Sequence, residues 1–392
     1  MHKFDYYGVP RIVFGRGQFA RAGELAAGLG GPAFFISSPG GAGGGALERL
    51  REMLAAAGVR SAGLPHRGEP TISAVDRLTE AARREGANLL IAIGGGSVID
   101  SAKAVSGLLT NGGSAQDYME TVGAGRKVAK PGIPWIAIPT TAGTGAEVTR
   151  NAVVASPQKH FKASIRSEHL LARVALVDPD LSAGAPPEVT AATGMDALSQ
   201  LIESYTSTGA EPMTDALARA GIPLAARCLP RAYRDGGDLE AREGMALAAL
   251  WSGICLTNTS LGAVHGIAAP LGACIPAPHG AICAALLSPV IAANVRALRA
   301  QSSGHPALAR YADIGRAMAE DPALPDAQAI AACIERTGRL AREVGVTSLG
   351  RFGLTREIIP GVATLACRSN SIRANPVKLS EEALAAAMVA AL

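Results

Sequence analysis

A glycine-rich turn in the first half of the chain has the composition of a phosphate site. The apolar run at residues 89–93 leads directly into Gly94, Gly95, Gly96 and Ser97, and a stretch with helical periodicity follows. Glycines at the end of a strand let backbone N–H groups approach a pyrophosphate, and the next helix N-terminus adds a favourable dipole. An ordinary tight turn has the same composition. The strand before the turn and the helix after it favour the phosphate site.

A threonine-rich loop follows the next apolar run. It covers residues 138–149 and contains Thr140, Thr141 and Thr144. Its hydroxyls and backbone amides could bind ribose, pyrophosphate or the nicotinamide amide, or the threonines could simply form turns and cap helices. On composition alone, the second interpretation is favoured.

Four polar residues in the second half of the chain could act together. Asp196 and Gln200 are four residues apart in a segment with helical periodicity, so both side chains lie on one helix face. His265 and His279 lie on either side of a stretch rich in proline and glycine. Taken singly, such an aspartate is commonly a helix cap or a solvated carboxylate, and such histidines are commonly satisfied core residues.

The elements that must position these residues fall into two parts. The first half alternates apolar runs with amphipathic stretches, which predicts βαβ units and a parallel sheet, and helical periodicity dominates from Pro187 onward. The chain has 392 residues, more than one hydrophobic core usually organises, so we expect two domains. They are an α/β domain over residues 1–183 and an all-α domain over residues 184–392. The predicted strands are 11–14, 33–36, 88–93, 135–138 and 175–177, and the predicted helices of the first half are 20–28, 45–57, 72–85 and 98–109.

Composition narrows the class of protein. Hydrophobic residues make up 48% of the chain and charged residues 18%, as in a globular enzyme. The net charge is +4 and the basic residues form no cluster in the sequence, so nucleic acid is not an expected partner. We expect a cytoplasmic protein without a membrane partner, because neither a signal peptide nor an apolar run of membrane-spanning length is visible. The cysteines are predicted to be reduced core thiols rather than metal ligands, since they are scattered and form no CxxC pair.

The order of these motifs resembles the iron-containing (group III) alcohol dehydrogenase family. GGGSxxD at residues 94–100 is followed by PTTAGTGxE at residues 139–147, and the resemblance extends from residues 10–15 to residues 375–380. It implies an α/β dinucleotide-binding domain with a parallel sheet and an all-α metal domain, which is the dehydroquinate synthase-like fold. The cofactor-binding residues implied by the resemblance are Gly95, Gly96, Ser97, Thr140, Thr141, Thr144 and Lys162.

Two positions at the adenosine end of the expected cofactor site depart from the family. Ser37, Ser38 and Pro39 follow the second strand, where the family often has an acidic residue for the ribose 2′-hydroxyl. A serine leaves room for a 2′-phosphate and can donate to it, so Ser38 is a candidate contact and the cofactor is NAD or NADP. Glu69 occupies a position where the family commonly has asparagine.

The resemblance also implies a metal site, which is altered here. The family holds its metal on an aspartate, a histidine four residues later and two further histidines; Asp196, His265 and His279 match, and Gln200 replaces the first histidine. An amide oxygen is a weaker and harder ligand than an imidazole, so we expect reduced affinity for Fe or Zn, or an empty site. Ala269 replaces another family histidine, so protons must move through water, the ribose hydroxyls or another side chain.

The resemblance implies hydride transfer between NAD(P)(H) and a small alcohol or aldehyde bound in a cleft between the domains. A metal on Asp196, His265, His279 and Gln200 would polarise the substrate oxygen. One alternative is a metal-free reductase similar to maleylacetate reductases, in which His265 or His279 contacts the substrate carbonyl directly. Another is a nucleotide-binding protein without catalysis. We expect a homodimer, which is the commonest soluble assembly.

Overall fold

The computed structural model describes residues 3–38, 45–120, 123–159, 161–346 and 348–392. Pro39, His160 and residues 40–44 of the glycine-rich segment noted in the sequence lie outside these ranges. The chain divides into two compact units. The α/β unit comprises Tyr7–Thr141 and Gly145–Ala185, and the helical unit comprises Ala142–Thr144, Pro186–Leu392 and the described residues up to Tyr6.

A parallel sheet forms the centre of the α/β unit. The strands of this unit are β1 (Ile12–Phe14), β2 (Ala33–Ser37), β3 (Ser61–Pro65), β4 (Leu89–Gly94), β5 (Trp135–Pro139), β6 (Asn151–Ser156), β7 (Phe161–Arg166) and β8 (Val174–Val177). Six of them form the parallel sheet, in the order β1-β8-β5-β4-β2-β3. The other two, β6 and β7, pair with each other in antiparallel fashion.

Apart from Ser37 at the end of β2, the central strands are apolar, because both faces of the sheet are covered. Successive residues of β2 pack into two different hydrophobic clusters: Phe34 and Ile36 into one, Phe35 into the other. Strands buried on both faces are typical of parallel sheets in α/β proteins, and the predicted parallel sheet is confirmed. The helices of this unit are α1 (Ala22–Leu29), α2 (Ala46–Ala56), α3 (Ile72–Arg84), α4 (Gly96–Asn111) and α5 (Ala115–Tyr118).

The second unit is helical, as predicted. Its described residues form nine α-helices that share one large hydrophobic core. They are α6 (Pro187–Thr206), α7 (Pro212–Arg234), α8 (Leu239–Thr259), α9 (Ala263–Cys274), α10 (His279–Gln301), α11 (Pro306–Ala319), α12 (Asp326–Glu343), α13 (Ile359–Cys367) and α14 (Glu381–Val389). By length and composition alone α10 could cross a membrane, but 61% of its most apolar window is buried inside the protein, as in a core helix.

Candidate active site

The order of the strands brings two loops to one point on the carboxyl edge of the sheet. After β2 the chain continues to β3 on one side, and after β4 it continues to β5 on the other side. Neighbouring strands whose connections leave in opposite directions form a switch point, where open parallel sheets bind their ligands. Ser38 follows β2 and the glycine turn follows β4, so both lie at this point.

Four of the predicted cofactor residues lie close together at the switch point. A Cβ atom on Gly94 would lie 2.5 Å from Ser38 Oγ, and a Cβ atom on Gly95 would lie 3.5 Å from Thr141 Oγ1. The backbone N–H of Thr140 donates to Gly94 O at 3.0 Å. These contacts bring Ser38, Gly95, Thr140 and Thr141 together. Gly96 and Ser97 form the first turn of α4, so the N-terminus of this sixteen-residue helix lies at the same place.

Lys103 holds α4 in position, a role that the sequence does not reveal. Its side chain is fully buried, and Nζ donates to Asp100 Oδ1 at 3.0 Å, to Thr149 Oγ1 at 2.7 Å and to Asn151 O at 2.7 Å. Burial lowers the pKa of Lys103, and the Asp100 carboxylate opposes that shift. Lys103 thus links α4 to the end of the threonine-rich loop at Thr149 and to the first residue of β6, Asn151.

Lys162, another predicted cofactor contact, lies on β7. Its Nζ is 2.6 Å from Glu69 Oε2, and both side chains are partly exposed. Glu69 is the residue that replaces the family's asparagine, so the two positions that stood out in the sequence form an ion pair. Thr144 belongs to the short segment Ala142–Thr144, which is part of the helical unit.

Three helices of the helical unit bring the predicted metal ligands together. Asp196 lies in the middle of α6, His265 in the first turn of α9, and His279 is the first residue of α10. Asp196 Oδ1 is 3.1 Å from His265 Nε2 and 3.8 Å from His279 Nε2. Asp196 and His265 are buried, whereas the side chain of His279 is 42% exposed, so His279 is the member of the group that solvent reaches.

Cys283 is a fourth member of this group and was not predicted. Its Sγ is 3.6 Å from His279 Nε2 and 3.8 Å from His265 Nε2. One possible ligand atom from each of the four residues lies within 4.8 Å of every other. The sequence did contain a signal, because Cys283 lies four residues after His279, one helical turn away on the same face of α10.

The cysteine prediction therefore needs correction. All six cysteines are free, but Cys274 is exposed and is not a core thiol. Cys283 is buried as expected, yet it lies beside two imidazoles. A lone cysteine in an apolar stretch resembles a core residue in sequence, and one of its two imidazole neighbours here, His265, comes from another helix.

Gln200 has a different orientation from that of a metal ligand. Its Nε2 lies 3.4 Å from Asp196 Oδ2, and its Oε1 accepts a hydrogen bond from Ser252 Oγ at 3.0 Å. The amide N–H group, which cannot bind a cation, thus faces the carboxylate. Ala269 lies one turn beyond His265 on α9 and is exposed.

Glu203 supports the group from behind and was also missed. It lies seven residues after Asp196 on the same face of α6, and both are buried. Glu203 Oε2 is 2.6 Å from His265 Nδ1, and Oε1 accepts a hydrogen bond from Val264 N at 2.7 Å. A carboxylate behind a ligating histidine fixes the orientation of its ring, so Nε2 is the nitrogen of His265 that faces Asp196 and Cys283.

Two glycines allow the close approach of chain segments to α6. A Cβ atom on Gly280 would lie 2.0 Å from Ala192 O, and one on Gly143 would lie 2.5 Å from Thr193 Cβ. Gly280 therefore sets the N-terminus of α10, with His279, against the helix that carries Asp196. Gly143 belongs to the threonine-rich motif, and its carbonyl accepts a hydrogen bond from Ser252 Oγ at 3.3 Å.

The electrostatics of the group favour positive charge at its centre. Burial raises the pKa of Asp196, but the hydrogen bond to His265 and the charge of His279 outweigh it and leave the pKa below its ordinary value. Burial lowers the pKa of His265, but the charges of Cys283 and Glu203 raise it well above its ordinary value. The charge of Cys283 also raises the pKa of His279 to about 9. Protons on the imidazoles, or a divalent cation, can provide this positive charge.

Comparison with known proteins identifies both parts of the chain. Residues 10–179 match the family "iron-containing alcohol dehydrogenase", and residues 190–392 match the C-terminal part of the Fe-containing alcohol dehydrogenase family. The chain is 35% identical to a choline dehydrogenase of Bacillus subtilis strain 168, covering 98% of this chain and 94% of the relative. It is 38% identical to the lactaldehyde reductase of Escherichia coli strain K12, covering 78% of each.

Solved structures agree with the sequence comparison. The crystal structure of a 1,3-propanediol oxidoreductase superposes with a TM-score of 0.92 at 32% identity and covers 100% of both chains. The predicted fold and the predicted class of enzyme are thus confirmed. The chain belongs to the iron-containing alcohol dehydrogenase family and is an alcohol dehydrogenase or aldehyde reductase.

Proposed function

We propose that this enzyme transfers a hydride between a nicotinamide dinucleotide and a small alcohol or aldehyde, and that Asp196, His265 and His279 hold a divalent metal for the reaction. The observation that carries the proposal is that two imidazole nitrogens lie within 3.8 Å of one carboxylate oxygen, Asp196 Oδ1. Two neutral imidazoles and one carboxylate are a common ligand set for Zn and for non-haem Fe(II).

The residues at the switch point fit a dinucleotide. The glycine turn leaves no room for side chains at Gly94, and its backbone leads into the positive end of the α4 dipole. Thr140 and Thr141 lie against the same turn and offer hydroxyl groups. In this proposal Gly95, Gly96 and Ser97 bind the pyrophosphate, and Ser38 lies at the adenosine end. Because no carboxylate occupies the Ser38 position, we propose that NADPH is accepted as well as NADH.

The residues of the helical unit fit a divalent metal. Asp196 is buried beside both imidazoles, and Glu203 fixes the ring orientation of His265 so that Nε2 is the nitrogen that faces the site of the cation. A bound divalent ion would supply Lewis-acid polarisation of the substrate oxygen. His279 is the exposed member of the group, so we propose that substrate reaches the metal ligands from its side.

Proton transfer must use groups other than position 269. Alanine has no ionisable group, and Ala269 is exposed on α9. We therefore propose that the substrate hydroxyl exchanges its proton with water or with the cofactor ribose. Ala269→His introduces an imidazole at a position that solvent reaches, so it tests whether a protein group can join this path.

The proposal is tested with protein purified without chelator, NADH and NADPH, and a series of aldehydes of graded size. We expect metal-dependent oxidation of the reduced cofactor by wild-type protein and its loss in His265→Ala, with the dinucleotide dissociation constant unchanged. His169→Ala is the matched control, because His169 belongs to a short helix of the α/β unit. Full activity in metal-free protein would instead favour a reductase in which a histidine contacts the carbonyl directly.

We also propose that the enzyme is a cytoplasmic homodimer. All six cysteines are free in the structure, which fits a reducing compartment such as the cytoplasm. A homodimer is the commonest assembly among soluble enzymes. Sedimentation of the purified protein tests the assembly directly, since a monomer and a dimer of this 39.8 kDa chain differ twofold in mass.

A further inference from the structure

We propose that Cys283 is the fourth metal ligand of this enzyme, in place of the histidine that Gln200 has replaced, and that its thiolate makes the site selective for zinc over iron. This inference rests on the proposed function, because it takes Asp196, His265 and His279 as the other three ligands. It adds a ligand of a different element, sulfur, to a family site made of nitrogen and oxygen.

The spacing of the four ligand atoms fits a tetrahedral ion. With zinc–sulfur and zinc–nitrogen bonds of about 2.3 and 2.05 Å, a tetrahedron separates sulfur from nitrogen by about 3.6 Å and oxygen from nitrogen by about 3.3 Å. Cys283 Sγ lies 3.6 and 3.8 Å from the two Nε2 atoms. Asp196 Oδ1 lies 3.1 and 3.8 Å from them. These four distances are thus close to the tetrahedral values, and all four ligand atoms lie within 4.8 Å of one another.

Helix α10 supplies two of the four ligands. His279 and Cys283 are one helical turn apart, and the close contact of Gly280 with Ala192 holds this turn against α6. The family's aspartate and first histidine are also one turn apart, but on α6. The lost ligand on α6 is therefore matched by a ligand at the same spacing on α10.

Gln200 has a hydrogen-bonding role in this arrangement. Its amide nitrogen faces the second oxygen of Asp196, and its amide oxygen is held by Ser252. We infer that Gln200 orients the carboxylate while Oδ1 binds the metal. It is a positioning residue, since it contacts the ion only through Asp196.

The thiolate changes which metal the site prefers. Soft thiolate ligands favour zinc, whereas the carboxylate, imidazole and water ligands of non-haem iron sites contain no sulfur. Zinc can take a fifth ligand, so four protein ligands still leave it accessible to substrate. Wild-type protein should therefore hold zinc against an excess of Fe(II).

The direct test is the absorption spectrum of the protein stripped of metal and reloaded with Co²⁺. A cobalt–thiolate bond gives an intense near-ultraviolet charge-transfer band, and we expect this band in wild-type protein and not in Cys283→Ser. Cys333→Ser is the matched control, because Cys333 is a fully buried thiol on α12 outside the ligand group. Loaded wild-type protein without the band would overturn the proposal, whether or not the variants fold.

Metal affinity provides a second readout. We expect Cys283→Ser to bind Zn²⁺ at least about tenfold more weakly, as loss of even an outer-shell partner has an effect of that size, and Gln200→Ala to retain more of the affinity. The double variant Gln200→His, Cys283→Ser restores a histidine on α6. It should recover Co²⁺ binding without the charge-transfer band, and its preference for zinc over Fe(II) should fall relative to wild type. Unchanged zinc affinity in Cys283→Ser would contradict the proposal.

These measurements separate the two proposals. If wild-type protein takes up no metal in any form, both this inference and the metal in the proposed function are wrong. If it takes up metal, loses it in His265→Ala and shows no thiolate band, only the role of Cys283 is wrong.

Discussion

The Glu203 carboxylate contacts two partners that lie next to each other in sequence. One oxygen accepts a hydrogen bond from the backbone N–H of Val264 at the start of α9, and the other lies 2.6 Å from His265 Nδ1. The same side chain thus positions the helix and the imidazole that the helix carries. In sequence, Glu203 was only one acidic residue on a helical segment, because its partners come from a region more than sixty residues away.

Replacing Glu203 with glutamine tests this role. Glu203→Gln keeps an oxygen acceptor but removes the charge behind His265, so we expect metal affinity to fall by about 10- to 100-fold, the usual effect of losing such a partner. Competition with a coloured chelator measures the change. Glu188→Gln, an exposed change in the first turn of the same helix, should leave the affinity unaltered. Equal affinities in the two variants would show that Glu203 is only structural.

Glu147 gives the α/β unit a dependence on pH. Burial raises the pKa of Glu147 to about 7 from its ordinary 4.5, against the opposing charge of Lys103. Between these two values the folded protein keeps a proton that the unfolded chain has lost. The free energy of unfolding should therefore fall as the pH rises from about 4.5 to about 7, by up to about 3 kcal/mol, and then level off.

In the variant Glu147→Gln the side chain at position 147 carries no charge at any pH. The part of the fall in the free energy of unfolding that comes from this residue should therefore disappear. Denaturant unfolding at a series of pH values measures the free energies in parallel for wild type and variant. Glu85→Gln is the control, because Glu85 is exposed at the end of α3. A fall of the same size in Glu147→Gln and wild type would rule out Glu147 as its source.

Among the elements, those with a regular apolar pattern were predictable. The bounds of strand β4 and helix α4 were predicted to within two residues. A short apolar run that ends in glycines is typical of a buried strand followed by a turn. Strands β3, β6 and β7 were missed. β3 contains serine, glycine and proline and is not buried, so it has no apolar run to reveal it. β6 and β7 mix polar and apolar residues and form a separate two-stranded sheet.

The meeting of α6, α9 and α10 was predictable only in part. The sequence, with the family resemblance, singled out Asp196, His265 and His279, and the structure brings them together. It could not reveal Cys283 or Glu203, whose importance depends on which helix faces which. Nor could it reveal the orientation of Gln200, because an amide is equally able to offer oxygen or nitrogen to a neighbour.

Gly280→Ala tests how closely α10 must approach α6. The new Cβ would lie 2.0 Å from Ala192 O, so α10 must shift and carry His279 and Cys283 with it. We expect weaker metal binding and a loss of stability of about 1–3 kcal/mol, as for overpacking of a core. Gly361→Ala is the matched helical control, because nothing lies within 4 Å of its Cβ position. That variant should be as stable as wild type or slightly more stable. An equally tolerated Gly280→Ala would contradict the packing argument.

At the scale of the whole molecule, the two units hold different parts of the predicted machinery. All candidate metal ligands belong to the helical unit, whereas the glycine turn, Ser38 and Lys162 belong to the α/β unit. A ligand that binds only folded protein adds to the stability of the part that binds it. Metal should therefore stabilise the helical unit in particular.

Calorimetric unfolding with and without chelator tests this expectation. A free metal concentration one hundred times the dissociation constant adds about 2.7 kcal/mol to the stability of the metal-binding part. We expect the transition of the helical unit to move to lower temperature when the metal is removed, and His265→Ala to show no shift on metal removal. A chelator that lowers the stability of wild type and His265→Ala equally would act by another route.

Gly143 lies within a nucleotide-binding signature by sequence, but it packs against Thr193 of α6. Its carbonyl accepts a hydrogen bond from Ser252, which also donates to the amide of Gln200 on α6. From the sequence motif alone, a substitution at Gly143 would be interpreted as a defect in coenzyme binding, like a substitution in the glycine turn. We expect Gly143 variants instead to retain metal poorly, so a zinc-enriched medium should restore their function. The same medium should not restore the function of Gly95 variants.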